Sequence, residues 1–594
     1  MAECVEYPPI TLLPNELLYM ILKNNTCCEI VNFGLTCKHF YGLISSNQYL
    51  WKEKCKVTLS QHLYDVVEEY GQGEWFRELK RYFTLKHAIY DELLSMSPKY
   101  YWRTTEISMN DIKIFFTMAL AYNMNHYYVV SILRDFIKRG NEVVNKNHSE
   151  EPYTMTVIYY AKIALRYLTQ TFLAIKWFQN HMRKVLTPEV VVTFFVQWAD
   201  ATRMHKDEDV EASIRDLVEK VEKMFPNDDS QPDFTVQEKV SKGLLKGGNV
   251  LRAVSDVIYN QNHMVLMPSA NLDTLDIHHV LHTKCGHAIA VAAIYLAVAS
   301  RCGVRCELIS FPNHLFLEWR DTDSSMSILH KISLENGSIL PKGRCPYSRG
   351  PMRDDMRYCP DTFLQYIIAT FLMSMGALKN WTTQHATNLQ DFLSTNPTED
   401  NPYKNYQPYL LDYDLLPAMN ITLKPEFLDD CHLRIIEHLV MITHNPTHIA
   451  KAAAVYRRKG GVIFGVGMIC YHQRYDYLCV VRGWDNTCPL EMRKRADLHN
   501  LQFGIHQPFY SVVSVDQTER YVAQEHLVDV ARPNRLHHLE DMIAKNFTHY
   551  DGFCYIPNAE KEGEYPEDKH IRAVFRDRFE QRTLQLRQQV VRVS

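Results

Sequence analysis

The side chains best suited to chemistry in this chain lie between positions 278 and 314. Cys285 stands just ahead of the apolar run Ala288 to Ala299, and a thiol at the start of a helix has its thiolate favoured by the helix dipole. His314 opens the run HLFLEW and offers the imidazole that a thiol nucleophile needs. His278, His279, His282, Cys285 and His287 form the densest coordinating cluster, with His278 and His282 spaced to share one helix face and hold zinc. That spacing fits no standard metal motif, and neither CxxC nor HExxH occurs, so no metal and no cofactor are expected. Two basic triplets, Arg457-Arg458-Lys459 and Arg493-Lys494-Arg495, would suit phosphates if they converge, and are otherwise solvated loop rims.

Composition bounds these options. Over 594 residues, 65 Lys and Arg against 69 Asp and Glu give a formal charge of −4, which gives no support to a whole-chain polyanion binder and leaves room only for a local basic patch. With 46% hydrophobic and 23% charged residues the chain has ordinary globular material, enough for about three or four domains. Its 15 cysteines are scattered, as in reduced cytosolic or nuclear proteins, and cytoplasmic or nuclear residence is the expectation. The opening MAECVEYPPI has no basic segment, so no secretory signal is expected. The longest apolar run, Ala288 to Ala299, falls short of the ~18 residues that suggest a membrane span.

The elements that must position these residues follow from periodicity. Between 12 and 55, Pro14 suits a first helical turn and Leu17, Leu18, Ile21 and Leu22 recur at three and four, with further apolar segments closing at Leu50-Trp51. From about 70 to 245 helices dominate, among them a stripe of Val210, Ile214, Leu217, Val218 and Val221. Between 246 and 345 an Ala-rich helix ends near Gly303, and CELISF and HLFLEW read as paired strands. Phe363 to Leu378 reads as a buried helix, and Ser394 to Pro408 as a connector. Strand-like runs separated by Gly, Asn and Pro fill 455–530 and predict a small, strongly curved barrel. After 560, Ile571, Val574, Phe575 and Phe579 lie on one helical stripe.

Three segments carry resemblances. LPNELLYMIL, IVNFGLTCKHFYGLI and Leu50-Trp51 resemble an F-box, through Leu13, Pro14, Glu16, Leu17, Ile21, Leu22, Cys37, Phe40 and Trp51. KCGHAIAVAAIYLAVASRCGVRCELISFPNHLFLEW resembles the transglutaminase-like fold. There the nucleophile register, counted back from Gly303, falls on Ala288, with Cys285 three residues early. GMICYHQRYDYLCVVRGWD, QPFYSVV and RYVAQEHL resemble the domain named after a bacterial hemimethylated-DNA-binding protein, through Trp484, Asp485, Gln507, Pro508, Tyr510, Tyr521, Val522, Ala523, Glu525 and Leu527. Taken in order, the segments are similar to the F-box only protein 21 family.

The expected fold is a multidomain α+β chain. It has an F-box at 10–56, a helical region at 57–245, a non-catalytic transglutaminase-like α/β domain at 246–345 and a helical connector region at 346–450. A small β-barrel at 451–560 and a tail at 561–594 complete it. The resemblance implies a substrate-recognition subunit of a Skp–cullin–F-box ubiquitin ligase. Such a subunit docks through Leu13, Pro14, Glu16, Leu17, Ile21, Leu22, Phe40 and Trp51 to a Skp-family adaptor, and thereby to a cullin scaffold with its RING subunit. The downstream domains would select protein substrates. Two alternatives are a thiol hydrolase or transferase using Cys285 and His314, and DNA binding through the barrel. From 451 to 530 ten Lys and Arg oppose eight Asp and Glu, a net of +2, so protein is favoured over DNA there. Arg493, Lys494, Arg495 and Tyr510 are the candidate surface for either ligand.

Overall fold

A computed structural model describes residue 10 and most of 13–376 and 454–593. Residues 1–9, 11–12, 104–106, 108, 123, 147–151, 183–184, 204–206, 227–233, 312–313, 322–327, 342–357, 377–453, 493–500 and 594 lie outside the described set. Most of the connector region and the triplet Arg493, Lys494 and Arg495 therefore fall outside it.

Four helices form the N-terminal unit: α1 (Asn15–Leu22), α2 (Cys27–Gly34), α3 (Lys38–Ser46) and α4 (Gln48–Thr58). Pro14 precedes α1, and a Thr26–Glu29 capping box starts α2 by satisfying otherwise unpaired N–H groups. Leu18, Leu22, Ile30, Phe40, Ile44, Leu50 and Trp51 are buried at the centre. The Trp51 indole donates to the Ile44 carbonyl at 2.8 Å, so its one polar atom is satisfied inside.

This unit is continuous with the helices after it. Trp51 packs against Phe76 of α6 (Trp75–Tyr100), with ring centroids 4.8 Å apart. From there one hydrophobic core runs through α8 (Asn125–Asn145) and α9 (Met155–Met182) into the C-terminal strands, from Leu22 and Trp51 to Val480, Tyr510 and Tyr555. Polar ties stitch the same seam. The Tyr101 hydroxyl donates to Glu564 at 2.8 Å, the Thr156 hydroxyl to the Phe547 carbonyl at 2.9 Å, and Lys162 pairs with Asp541 at 2.6 Å.

A second core begins further along α9. Leu173 and Trp177 join α10 (Pro188–Ala199), α11 (Asp207–Lys223), α13 (Gly247–Ser255), α16 (Ala288–Arg301) and α17 (Pro360–Met375). On it lies an antiparallel sheet in the order β3 (Cys306–Phe311), β4 (His314–Asp321), β5 (Ile328–Ile332), β6 (Ile339–Pro341). Ile289 to Ala299 of α16 are buried without exception, which small side chains allow because other elements can approach from every side. The second core thus also takes in α10 and α11, ahead of residue 246, and covers their apolar stripes.

The C-terminal strands β7 (Ile469–His472), β8 (Tyr477–Asp485), β9 (Phe509–Ser514), β10 (Glu519–Ala523) and β11 (Leu527–Asp529) form one sheet in the order β10-β9-β8-β7-β11. Its two edge strands are joined by only Gln524–His526. A flat five-stranded sheet is about 19 Å from edge to edge. The four chain steps from Ala523 to Leu527 reach at most about 14 Å. The sheet must therefore roll, as the predicted barrel requires.

The tail completes this barrel through one carboxylate. Asp568, the first residue of the C-terminal helix Asp568–Val593, is wholly buried. It accepts from the Val466 N–H at 2.7 Å, the Trp484 indole at 2.9 Å and the Arg458 guanidinium at 2.6 Å. Trp484 is accordingly a core residue, and Arg458 of the first basic triplet faces inward. Among the described residues no helix is long and apolar enough to cross a membrane.

Removing one member of a buried charge pair strands the other. Asp568→Asn is expected to destabilise the barrel by about 3–5 kcal/mol. A urea titration followed by hydrogen exchange in β7 and β8 reads this, and an unchanged midpoint would contradict the role assigned to Asp568.

Candidate functional site

The N-terminal helices present two different faces. On α1, Leu18 and Leu22 point inward whereas Leu17 and Ile21 are 46% and 53% exposed. Met20, Leu35, Tyr49 and Val57 add exposed apolar area on the same unit. Leu13 is half-buried, and Pro14 and Glu16 are exposed. Of the eight residues predicted to meet an adaptor, Leu22, Phe40 and Trp51 are inside the unit, where they can support a docking face but not form it. The unit's core is complete without Leu17 and Ile21, so their exposure is not a deficit of internal packing.

The central fold places its would-be nucleophile elsewhere. Helix α16 begins at Ala288, capped by His287, whose Nδ1 accepts from the Ile289 N–H at 3.3 Å and whose pKa is lowered by burial. Cys285 is half-buried in the short strand β2 (Cys285–His287), paired in parallel with Val265 of β1 (Val265–Met267). It therefore lies ahead of the helix instead of at its first turn. Lys284, in the left-handed conformation with φ 61°, ends the preceding helix α15 (Ile277–Thr283) and turns the chain into this strand. Gly286 within this strand lets Val280 pack close, because a Cβ there would lie 2.6 Å from Val280 Cγ1. His314 opens β4, opposite Phe311 in the register, and its side chain lies outside the described residues. His278 and His282 sit on α15, the first half-buried and the second exposed. Among the described residues no group of three ligating side chains could hold a metal ion.

Comparisons with known proteins match this arrangement segment by segment. Residues 10–57 match an F-box-like family model, 208–347 the transglutaminase-like superfamily, and 462–553 the hemimethylated DNA-binding protein YccV like family. F-box only protein 21 of Mus musculus is 25% identical over 603 aligned residues, covering 94% of this chain and 92% of that protein. The Pongo abelii and Homo sapiens proteins of the same name are 26% and 25% identical over the same shares. The likeness to the F-box only protein 21 family is nearly full-length. No solved structure matches.

Within that likeness the barrel's signature residues are mostly internal. Tyr510 is fully buried, its hydroxyl accepting from the Ile463 and Phe464 N–H groups and donating to Gln524 at 2.6 Å. A surface role at Tyr510 is thereby corrected: the hydroxyl is spent on holding the chain that leads into the barrel. The Tyr521 hydroxyl donates to Asp485 at 2.7 Å, and Gln507 and Glu525 exchange two hydrogen bonds at 2.8 and 3.0 Å. Sequence reasoning missed a cleft of about 560 Å³ beside them, lined by His472, Tyr475, Tyr477, Arg482 and Arg520. The cleft is not strongly basic, because Arg482 pairs with Glu519 and Arg520 with Asp516. Its His472 ring stacks on Tyr477 at 4.7 Å and, lowered by burial to about 4, stays neutral.

If the thiol three residues ahead of α16 is not a nucleophile, its reactivity is independent of the imidazole at 314. Cys285 is expected to alkylate with iodoacetamide at neutral pH at the same rate in the wild type and in His314→Ala. A tenfold drop in the variant would restore a thiol–imidazole pair.

Proposed function

We propose that the chain is a substrate-recognition subunit of a Skp–cullin–F-box ubiquitin ligase. The observation that carries this reading is the exposed Leu17 and Ile21 on a four-helix unit whose own core is already filled. The F-box-like match over the same residues supports it. In this reading Leu13, Pro14, Glu16, Leu17 and Ile21 contact a Skp-family adaptor. Leu22, Phe40 and Trp51 hold the face in shape from beneath, and a cullin scaffold with a RING subunit supplies the transfer machinery. The downstream domains select protein substrates. The central domain is a scaffold without its own chemistry, in keeping with Ala288 at the first position of its helix. The barrel reads protein instead of duplex DNA, as the net of +2 over 451–530 favours.

Interface anchors of this type typically contribute about 2 kcal/mol or more each. Leu17→Asp combined with Ile21→Asp is expected to weaken adaptor binding to the full chain at least a hundredfold without moving its melting temperature, because neither residue is in the core. Calorimetric titration with a Skp-family adaptor, paired with a melting curve of each protein, measures both strands of this expectation. Undetectable binding by a well-folded wild type would remove the ligase reading. For the barrel, anisotropy titrations at physiological salt are expected to give equally weak binding to hemimethylated, fully methylated and unmethylated duplexes. A tenfold hemimethylated preference, about 1.4 kcal/mol, would make the barrel a DNA reader.

A further inference from the structure

One half-buried cation beside the first core has two enclosed donors without a hydrogen-bond partner. Arg134, on α8, has its Nε and Nη2 enclosed by protein and meeting no acceptor among the described residues. Native folds pair enclosed donors almost without exception, because an N–H stripped of water and left unpaired is costly. Burial accordingly lowers the Arg134 pKa to about 10.

The surroundings indicate what is missing. Arg134 lines a cleft of about 470 Å³ together with Lys138, Lys162 and Arg166. Arg166 is itself buried and stacks on the Tyr167 ring at 4.5 Å. Three carboxylates share the walls: Asp135, Asp200 and Asp541. Two are engaged locally. Asp541 binds Lys162 at 2.6 Å, and Asp200 pairs with Arg203 at 3.2 Å while capping the turn at Thr202. That leaves the exposed Asp135 facing Arg134, Lys138 and Lys86. Cation excess, unpaired donors and room for several heavy atoms coincide here. The position is also particular, because the walls come from α8 and α9 of the first core and from residues 199–202, where Ala199 is buried with the second core and Ala201 with the first.

We propose that this cleft binds a small soluble anion bearing two or more phosphate groups, and that the bound anion clamps the two cores together. Phosphate fits better than a single carboxylate because its oxygens fan out, so that a guanidinium fork and an ammonium can both donate to one group. Arg134 already lines the cleft, and the exposed Lys138 on the next turn of α8 donates beside it.

The test is calorimetric titration of the full chain with inorganic phosphate, pyrophosphate and tripolyphosphate, paired with melting curves against sodium chloride at matched ionic strength. Binding is expected to be saturable, to tighten with phosphate number, and to raise the melting temperature beyond the chloride control. Arg134→Gln is expected to weaken it at least tenfold, and Lys138→Gln several-fold. Arg77→Gln, at an exposed pair with Glu74, should leave it unchanged. If Arg134→Gln does not fold, Lys138→Gln decides. No saturable heat, a chloride effect of equal size, or unchanged affinity in the folded variants would overturn the proposal. Tighter binding of a phosphoserine peptide than of tripolyphosphate would also overturn it, in favour of a protein ligand.

Discussion

The arrangement of this chain depends on α9 being shared between two hydrophobic cores. Its first half, through Ile158, Leu165 and Leu168, is buried with the N-terminal helices and the C-terminal barrel, whereas Leu173 and Trp177 are buried with the transglutaminase-like fold. A helix of 28 residues held at both ends by packing cannot hinge in the middle without exposing apolar surface on one side. The domain order along the sequence therefore differs from the order in space. The F-box and the barrel lie at opposite ends of the chain, yet they share one core, and the central fold is the separate lobe.

That arrangement bears on the receptor role proposed above. In a receptor that brings a substrate to a ligase, the geometry between docking face and reading surface determines which substrate groups come within reach. Here the F-box is anchored through Trp51 against Phe76, and the barrel is anchored through Glu564, Phe547 and Asp541. Both attach to the same helical layer. Asp568 then locks the last helix into the barrel, so that the tail is part of the fold. A spacer with a fixed length is a more economical description of α6, α8 and α9 than a flexible tether.

The parts of this fold that are local in sequence were legible in it. The Ala-rich run became α16 with Gly303 near its end, and the strand-like runs after 455 became a rolled sheet. The four apolar residues of α1 illustrate where periodicity stops. Leu17, Leu18, Ile21 and Leu22 span two adjacent helical faces, and spacing alone does not say that 18 and 22 face the core while 17 and 21 face out. Asp568 was illegible for a different reason: its partners are Arg458, Val466 and Trp484, some hundred residues away, and nothing in EYPEDKH marks a buried acid. The barrel signature misled in its own way. Tyr510 reads as a surface aromatic by type, but it belongs to the network that shapes the barrel, so the match identifies the fold more than a ligand. For Arg493, Lys494, Arg495 and the side chain of His314, the sequence expectations stand outside the described residues.

The central claim is that the F-box and the barrel form one rigid body through a shared core. Double electron–electron resonance between a spin label on α3 of the F-box and one at the exposed Gln473, in the turn between β7 and β8, tests it directly, with a second pair inside the barrel as reference. A single distance distribution, no broader than the reference pair's, is the predicted result. A broad or multimodal distribution in the full chain would show the two ends moving independently and contradict the account.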